Sequence, residues 1–445
     1  MIPPLPGATA LTASILLLLA APLAAQVERI SVASDGSQAE ADSYQAAISD
    51  DGSVVAFRSN AANLVAGDTN QWTDIFVRDL GAGTTAIASR QPDGSESVNF
   101  SQRPSLSGDG RYVVFETPFE VQTILVTGLY DRVLDANSYV LPDRNSSGNP
   151  TWPRQARLEP VLSGNGAILA LRTLSELPNV FPEAAKPTDD DNNLAHDVFL
   201  FDLTASPVEP AQRVSRLTDG SELNADSRRP SLSHDGRYVA FMTYSDLLFE
   251  DTNSRPDVVW KDRQSGALEL ISAAPGGAAG NGESFNPDIS ADGNVIAFRS
   301  AASNLVADDT NGYWDIFVHD RSTGTTTRVS VRSNGGEANS GSLEPTISGD
   351  GRFVAFRSMA TNLVDDDTNG RADIFVHDRA NGQTVRVGQP ADAESDGNSA
   401  APAISGDGAW IVFESDATNL VPGDDNGARD VFRTPNPLSG MRRGQ

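Results

Sequence analysis

The stretch Thr346-Ile-Ser-Gly-Asp-Gly-Arg-Phe-Val-Ala-Phe-Arg357, read with Asp373-Ile-Phe-Val-His-Asp378 just after it, decides the fold. Its S-x-D-G turn recurs with the glycine at Gly52, Gly110, Gly166, Gly236, Gly293, Gly351 and Gly408. Seven copies at an interval of tens of residues mean stacked supersecondary units. Each unit reads as four short strands. Strand a ends in P-x-I-S (Pro345 to Ser348), and the Asp-Gly turn supplies the positive φ of a tight hairpin. Strand b is Arg352–Arg357, strand c Asp373–His377 and strand d Gln383–Val387, with hairpin-like c–d turns at Asp320–Gly324 and Asp378–Gly382. Strands b and c carry near-continuous apolar runs, which fit sheets covered on both faces, as in stacked propeller blades. The rungs of a parallel β-helix are far shorter, and a two-sheet sandwich does not repeat seven times.

The termini point the same way. The last unit stops after strand c, at Asp430-Val-Phe-Arg-Thr434, while Val27-Glu-Arg-Ile-Ser-Val32 matches the d strand Thr327–Val331. The expectation is an all-β, seven-bladed β-propeller of four-stranded antiparallel blades, with the N-terminal strand completing the last blade and leaving no open edge.

S-x-D-G-x-x-[VI]-[AV]-F followed by D-[IV]-F-V-x-D resembles the TolB-type, WD-repeat-like β-propeller family of bacteria, over residues 27 to 434. The resemblance implies a propeller of a kind that serves as translocation component, binding scaffold or non-catalytic peptidase domain. The chain departs from the family's periplasmic translocation protein in having seven units rather than six and no separate N-terminal α/β domain.

Residues 1 to 25 read as a secretory signal, with the apolar core Leu11–Ala20 and small residues at Leu23-Ala-Ala25. An N-terminal anchor is the alternative, although the run is short for a span. The absence of cysteine excludes a lipoprotein anchor, disulfides and thiolate chemistry. The expected organisation is signal 1–25, propeller 26–435 and a flexible tail 436–445, in an exported, periplasmic or extracellular monomer with no membrane span after cleavage. A net charge of −27, with lysine only at Lys186 and Lys261, argues against nucleic acid or an anionic membrane as partner.

The repeat breaks in two places. The second unit lacks a D-I-F-V element, and its outer strands are expected at Ile124–Tyr130 and Ser138–Leu141; the third carries a Pro-rich insertion, Leu177–Pro187. Such irregularities are where specificity is expected on a regular scaffold.

Six units carry D-x-N-x-x-x-D in the b–c loop: Asp68, Asn70, Asp74; Asp191, Asn193, Asp197; Asp251, Asn253, Asp257; Asp309, Asn311, Asp315; Asp367, Asn369, Asp373; and Asp424, Asn426, Asp430. Oxygen donors at i, i+2 and i+6 suit a hard cation such as calcium. The same residues also suit turn-making, through an Asx-turn, a left-handed Asn and a capping Asp. These loops should share an acidic face with the d–a loops, a surface suited to a protein, peptide or glycan. Arg58, Arg299 and Arg357 recur at the end of strand b, either as a ring of cations for an anionic ligand or each paired with a loop Asp.

The four histidines fall in different repeats, so a His-based triad is not expected, and no G-x-S-x-G elbow occurs. The sequence therefore favours a non-enzymatic binding scaffold. Its rivals are a carbohydrate hydrolase or lyase using carboxylates at the channel mouth, and a TolB-like translocation component.

Overall fold

The computed structural model describes residues 27–118, 125–140, 159–173, 193, 195–205, 211–246, 253–390 and 393–442. Within them every repeat closes the same local circuit at its a–b turn. Ser348 Oγ donates to Asp350 Oδ1 at 2.7 Å and accepts from Phe353 N, while Arg352 N donates to Asp350. Gly351 sits at φ 70°, and a Cβ there would lie 2.8 Å from Val295 Cγ2 of the preceding blade. Glycine is thus required twice, by the turn and by the approach of the preceding blade.

The chain begins with β1 (Glu28–Arg29). Blade 1 is β2 (Ser43–Ile48), β3 (Val54–Ser59), β4 (Asp74–Asp79) and β5 (Thr84–Ile87). Blade 2 is β6 (Gln102–Leu106), β7 (Tyr112–Pro118), β8 (Leu125–Asp131) and β9 (Ala136–Val140). Blade 3 is β10 (Val161–Leu162), β11 (Ile168–Thr173), β12 (Asp197–Asp202) and β13 (Gln212–Arg213). Blade 4 is β14 (Ser227–Leu232), β15 (Tyr238–Thr243), β16 (Asp257–Asp262) and β17 (Leu268–Leu270). Blade 5 is β18 (Ser284–Ile289), β19 (Val295–Ser300), β20 (Asp315–Asp320) and β21 (Thr325–Arg328). Blade 6 is β22 (Ser342–Ile347), β23 (Phe353–Ser358), β24 (Asp373–Asp378) and β25 (Gln383–Val387). Blade 7 is β26 (Ser399–Ile404), β27 (Trp410–Ser415) and β28 (Asp430–Pro435). Its fourth strand is β1, antiparallel to β28 with Glu28 opposite Arg433 and Arg29 opposite Phe432. The termini close the ring as the sequence predicts.

Each innermost strand packs against that of the next blade, and β26 meets β2. The core lies between blades. Phe353, Ile374 and Val376 of blade 6 pack with Ile411, Phe413 and Phe432 of blade 7. Ile30, Val412 and Val431 pack with Phe57 and Phe76 of blade 1 across the closure. The b and c strands are buried on both faces, which is why their runs do not alternate.

Blade 2 forms close to where the sequence places it, although Ile124 and Leu141 lie outside the described residues, as does the insertion Leu177–Pro187. The segment from 436, expected as a flexible tail, is in part seated. Asn436 Nδ2 donates to Gly408 O at 2.8 Å, Leu438 is buried in the blade 7 core, and Ser439–Arg442 forms one 3-10 turn. Among the described residues no helix is long and apolar enough to cross a membrane.

Candidate ligand site at the channel mouth

Six innermost strands carry one non-glycine residue at positive φ, Gln45, Arg103, Arg229, Asn286, Glu344 and Ala401, and in blade 3 Glu159 holds the equivalent place just before β10, all between 42° and 56°. In blades 1, 2 and 4 to 7 the register with strand b shifts at this point, the mark of a β-bulge. From the second copy on, the next residue is proline (Pro104, Pro160, Pro230, Pro287, Pro345, Pro402), which disfavours right-handed helical backbone before it. Residues held in this region cost of order 1–3 kcal/mol each and cluster at functional sites. Four of these residues, Arg103, Glu159, Arg229 and Asn286, line a cavity of about 450 Å³ at the axis.

A bulge leaves backbone N–H groups without a ladder partner, and side chains of neighbouring blades take them. Glu116 Oε1 accepts from Glu159 N at 2.8 Å, Glu159 Oε2 from Arg229 N at 3.0 Å and Glu344 Oε2 from Ala401 N at 2.8 Å. Glu414 Oε2 accepts from Gln45 N at 3.2 Å, and Gln45 Oε1 from Arg103 N at 3.2 Å. Deeper in, Asp288 accepts from Ile347 N at 2.8 Å and Ser231 Oγ at 2.9 Å; burial raises its carboxyl. The channel carboxylates are employed in joining blades.

The arginines are not all so employed. The sequence allows each strand-b arginine to pair with a loop Asp, and the structure corrects that. Arg58 has no hydrogen-bond or ion-pair partner among the described residues; its guanidinium stacks 4.6 Å over Tyr44. Arg299 likewise stacks 5.2 Å from Phe285 and 5.0 Å from Trp314 without an acceptor. Among the described residues Arg357 reaches only Glu344, at 3.9 Å. Burial lowers Arg58 and Arg299, with Arg103 pressing on the first and Arg229 on the second. Arg103 and Arg229 are themselves partnered: Arg103 lies 3.7 Å from Glu116 and 3.4 Å from Glu159, and Arg229 donates to Asn286 Oδ1 at 2.7 Å, while Glu344 and Glu283 act on Arg299 from a distance.

In the b–c loops, Asn70, Asn311, Asn369 and Asn426 do the same job. Each donates to the Asp four residues on (Asp74, Asp315, Asp373, Asp430) at 2.7–3.2 Å and accepts from the backbone N–H two residues on. Asn193 and Asn253 accept from Ala195 N and Arg255 N in the same way. The second Asp begins strand c and accepts from a Ser hydroxyl just after strand d, as Asp197 does from Ser215 and Asp257 from Ser272; in blade 6 Asp373 accepts from Gln389 Nε2 instead. Asp191 and Asp251 lie outside the described residues.

The cation beside these carboxylates is often an arginine from strand d. Arg328 Nη1 stands 3.0 Å from Asp309, 3.6 Å from Asp315 and 2.7 Å from Glu337. Arg386 Nη1 stands 3.2 Å from Asp367, 3.3 Å from Asp373 and 2.8 Å from Glu394. Arg29 meets Asp424 and Asp430 at 3.1 and 3.5 Å, and Arg213 meets Asp197 at 3.5 Å. Burial raises Asp309, Asp315, Asp373, Asp424 and Asp430, and pushes Asp367 up to about 6. Among the described residues no three acids or histidines already converge as a metal shell.

At the other end the a–b turns close the channel with a ring of backbone bonds. Asp50 N donates to Gly108 O and Gly108 N to Gly164 O; the series runs through His234, Ala291, Gly349 and Gly406 until Asp407 N returns to Asp50 O. His234 Nδ1 of blade 4 lies 3.5 Å from Asp50 Oδ2 of blade 1. Repeat-related positions were expected to lie apart; at the axis they converge, because innermost turns sit on a small circle.

The positive-φ residues went unread in the sequence, although a visible signal existed: in five of the six proline-bearing copies a polar residue, mostly charged, precedes the proline, Ala401 being the exception.

No family model matches the sequence, and no curated protein sequence is similar to it. Solved structures are similar in fold. An oligogalacturonate lyase in complex with manganese is 14% identical, with TM-score 0.55 over 93% of this chain and 94% of that one. The β-propeller domain of the Trilobed protease from Pyrococcus furiosus, described as an open velcro topology, is 11% identical, with TM-score 0.54 over 88% and 95%. A putative TolB from Agrobacterium tumefaciens is 14% identical and superposes at 0.41 over 80% and 94%, too loosely to carry the TolB resemblance beyond the propeller.

Proposed function

We propose that this propeller is an exported, non-enzymatic scaffold whose channel mouth binds a ligand bearing carboxylates at two separated points. One observation carries the reading. In a chain of net charge −27, Arg58 and Arg299 stand part-buried without an acceptor, each beside a second arginine. Setting like charges near one another costs stability, and an anionic ligand recovers it. Tyr44, Phe285 and Trp314 give the guanidiniums flat supports that fix their planes. The carboxylates that a hydrolase or lyase would use are occupied by backbone N–H groups of neighbouring blades, which favours binding over turnover. Export rests on residues 1 to 25, outside the described residues.

The test is calorimetric titration of the mature protein with hexaglutamate and with an oligogalacturonate of similar length, hexalysine serving as opposite-charge control. Either acidic oligomer should bind, unchanged on recovery, and Arg58→Gln with Arg299→Gln should weaken binding at least about tenfold, the scale of one lost charge-assisted contact. Equal affinity in the double variant would refute the site, and cleavage of the oligouronate would favour the enzymatic reading.

A further inference from the structure

Blade 1 has the three acids that surround an arginine elsewhere, but not the arginine. In blade 5 one nitrogen, Arg328 Nη1, is shared by Asp309 Oδ1, Asp315 Oδ2 and Glu337 Oε1, and blade 6 repeats this with Arg386, Asp367, Asp373 and Glu394. The blade 1 counterparts are Asp68, Asp74 and Glu96. Glu96 is held as its counterparts are, accepting from Thr69 N at 2.6 Å and Thr69 Oγ1 at 2.8 Å, as Glu337 does from Thr310. The strand-d residue two before the capping serine is Arg328 before Ser330, Arg213 before Ser215 and Arg29 before Ser31. In blade 1 it is Ile87 before Ser89, and Ile87 pairs with Phe76 as Arg328 pairs with Phe317.

We infer that blade 1 binds a divalent cation of the calcium class, held by Asp68, Asp74 and Glu96 at the place taken by an arginine nitrogen in blades 5 and 6. Asp68 is 9% exposed, and its Oδ1, the counterpart of the arginine-bound Asp309 Oδ1, has no hydrogen-bond partner. Asp74 is wholly buried. The oxygens around the arginine nitrogen stand 2.7–3.6 Å from it. Calcium takes oxygens at about 2.3–2.6 Å, with waters completing the shell. Blade 4 also has an aliphatic residue there, Leu270, but Ala279 stands near the third acid's place in its d–a loop, so that blade lacks the full set. Six candidate loops thereby reduce to one, with Glu96 as a ligand outside the D-x-N-x-x-x-D pattern.

The loop contains its own reporter. Trp72, two residues before Asp74, is 47% exposed. The experiment titrates the metal-stripped protein with terbium, which accepts calcium's oxygen ligands, and reads emission sensitised by tryptophan. Saturable emission displaced by calcium and abolished by Trp72→Phe is expected, together with a melting temperature raised by about 3 °C at 100-fold calcium over its Kd. Ile87→Arg supplies the guanidinium seen in blades 5 and 6 and should abolish both signals. If that variant does not fold, Asp68→Asn decides in its place and should weaken terbium at least about tenfold. No emission, emission that survives Trp72→Phe, or binding unchanged in the folded variant would overturn the site.

Discussion

Replacing Arg328 by isoleucine makes blade 5 resemble blade 1, and the consequence follows from the geometry. The guanidinium touches three carboxylates at 2.7–3.6 Å and donates to Asp308 O at 3.2 Å, with Asp315 completely buried. At an effective dielectric of about 20, one such contact at 3 Å is worth about 5 kcal/mol before desolvation. Desolvation of the arginine cancels much of that sum, and removing one partner of a buried ion pair costs about 3–5 kcal/mol in practice. Isoleucine itself fits, since Ile87 and Leu270 hold the equivalent register. With an unfolding entropy of about 0.85 kcal/mol/K for about 400 residues, the melting temperature should fall by about 4–6 °C at pH 8. The loss should shrink at pH 5. Asp309 and Asp315 are already raised by burial, and without the arginine they rise further. A carboxyl raised in the fold contributes stability at low pH that is lost as pH climbs through its folded value. Calorimetry of both proteins at pH 5 and pH 8 reads this directly. A loss below about 1 kcal/mol at pH 8, or equal losses at both pH values, would refute the role given to the guanidinium, since both limits fall outside the buried-pair range.

Further outcomes follow from other parts of the molecule. Removing residues 27–31 uncovers β28 and takes the buried Ile30 away from Val412 and Val431, so the protein should melt at least about 5 °C lower and self-associate in light scattering. Gly108→Ala places a Cβ 2.9 Å from Gly164 O in the closed ring of turns and should cost about 1–3 kcal/mol in urea unfolding. His377 is buried beside Thr384 and its pKa is lowered to about 4, so it stays neutral in the fold. Its contribution is complete above pH 6.5 and is lost as pH falls toward 4; against His377→Gln, the wild type should lose about 3 kcal/mol more over that window. Arg58→Gln with Arg299→Gln should leave urea stability within about 1 kcal/mol of wild type, because only stacking is lost and a like-charge contact is relieved.

The architecture was legible because the propeller repeats its turn chemistry. Six Asp-Gly turns, one Asn-Gly turn at Asn165-Gly166 and a displaced d strand at Val27–Val32 specify blade number and closure without any long-range information. The b–c asparagines were legible as to residue but open as to role, because an Asx-turn and a cation site use the same oxygens. What separates the two is strand d, where Arg29, Arg213, Arg328 and Arg386 stand beside the aspartates and Ile87 and Leu270 do not; that comparison needs the register between strands. The channel mouth was least legible. Its residues are variable across copies, from Arg103 and Glu159 to Ala401. The meeting of Asp50 with His234 depends on the small radius of the innermost turns, which sequence spacing does not encode.

The most direct test of the account is a crystal structure of the mature protein grown with hexaglutamate. Density bridging the mouth is predicted, with one carboxylate at Arg58 and Arg103 and another at Arg229 and Arg299. Density only at the outer rim, with the four arginines unengaged, would contradict it.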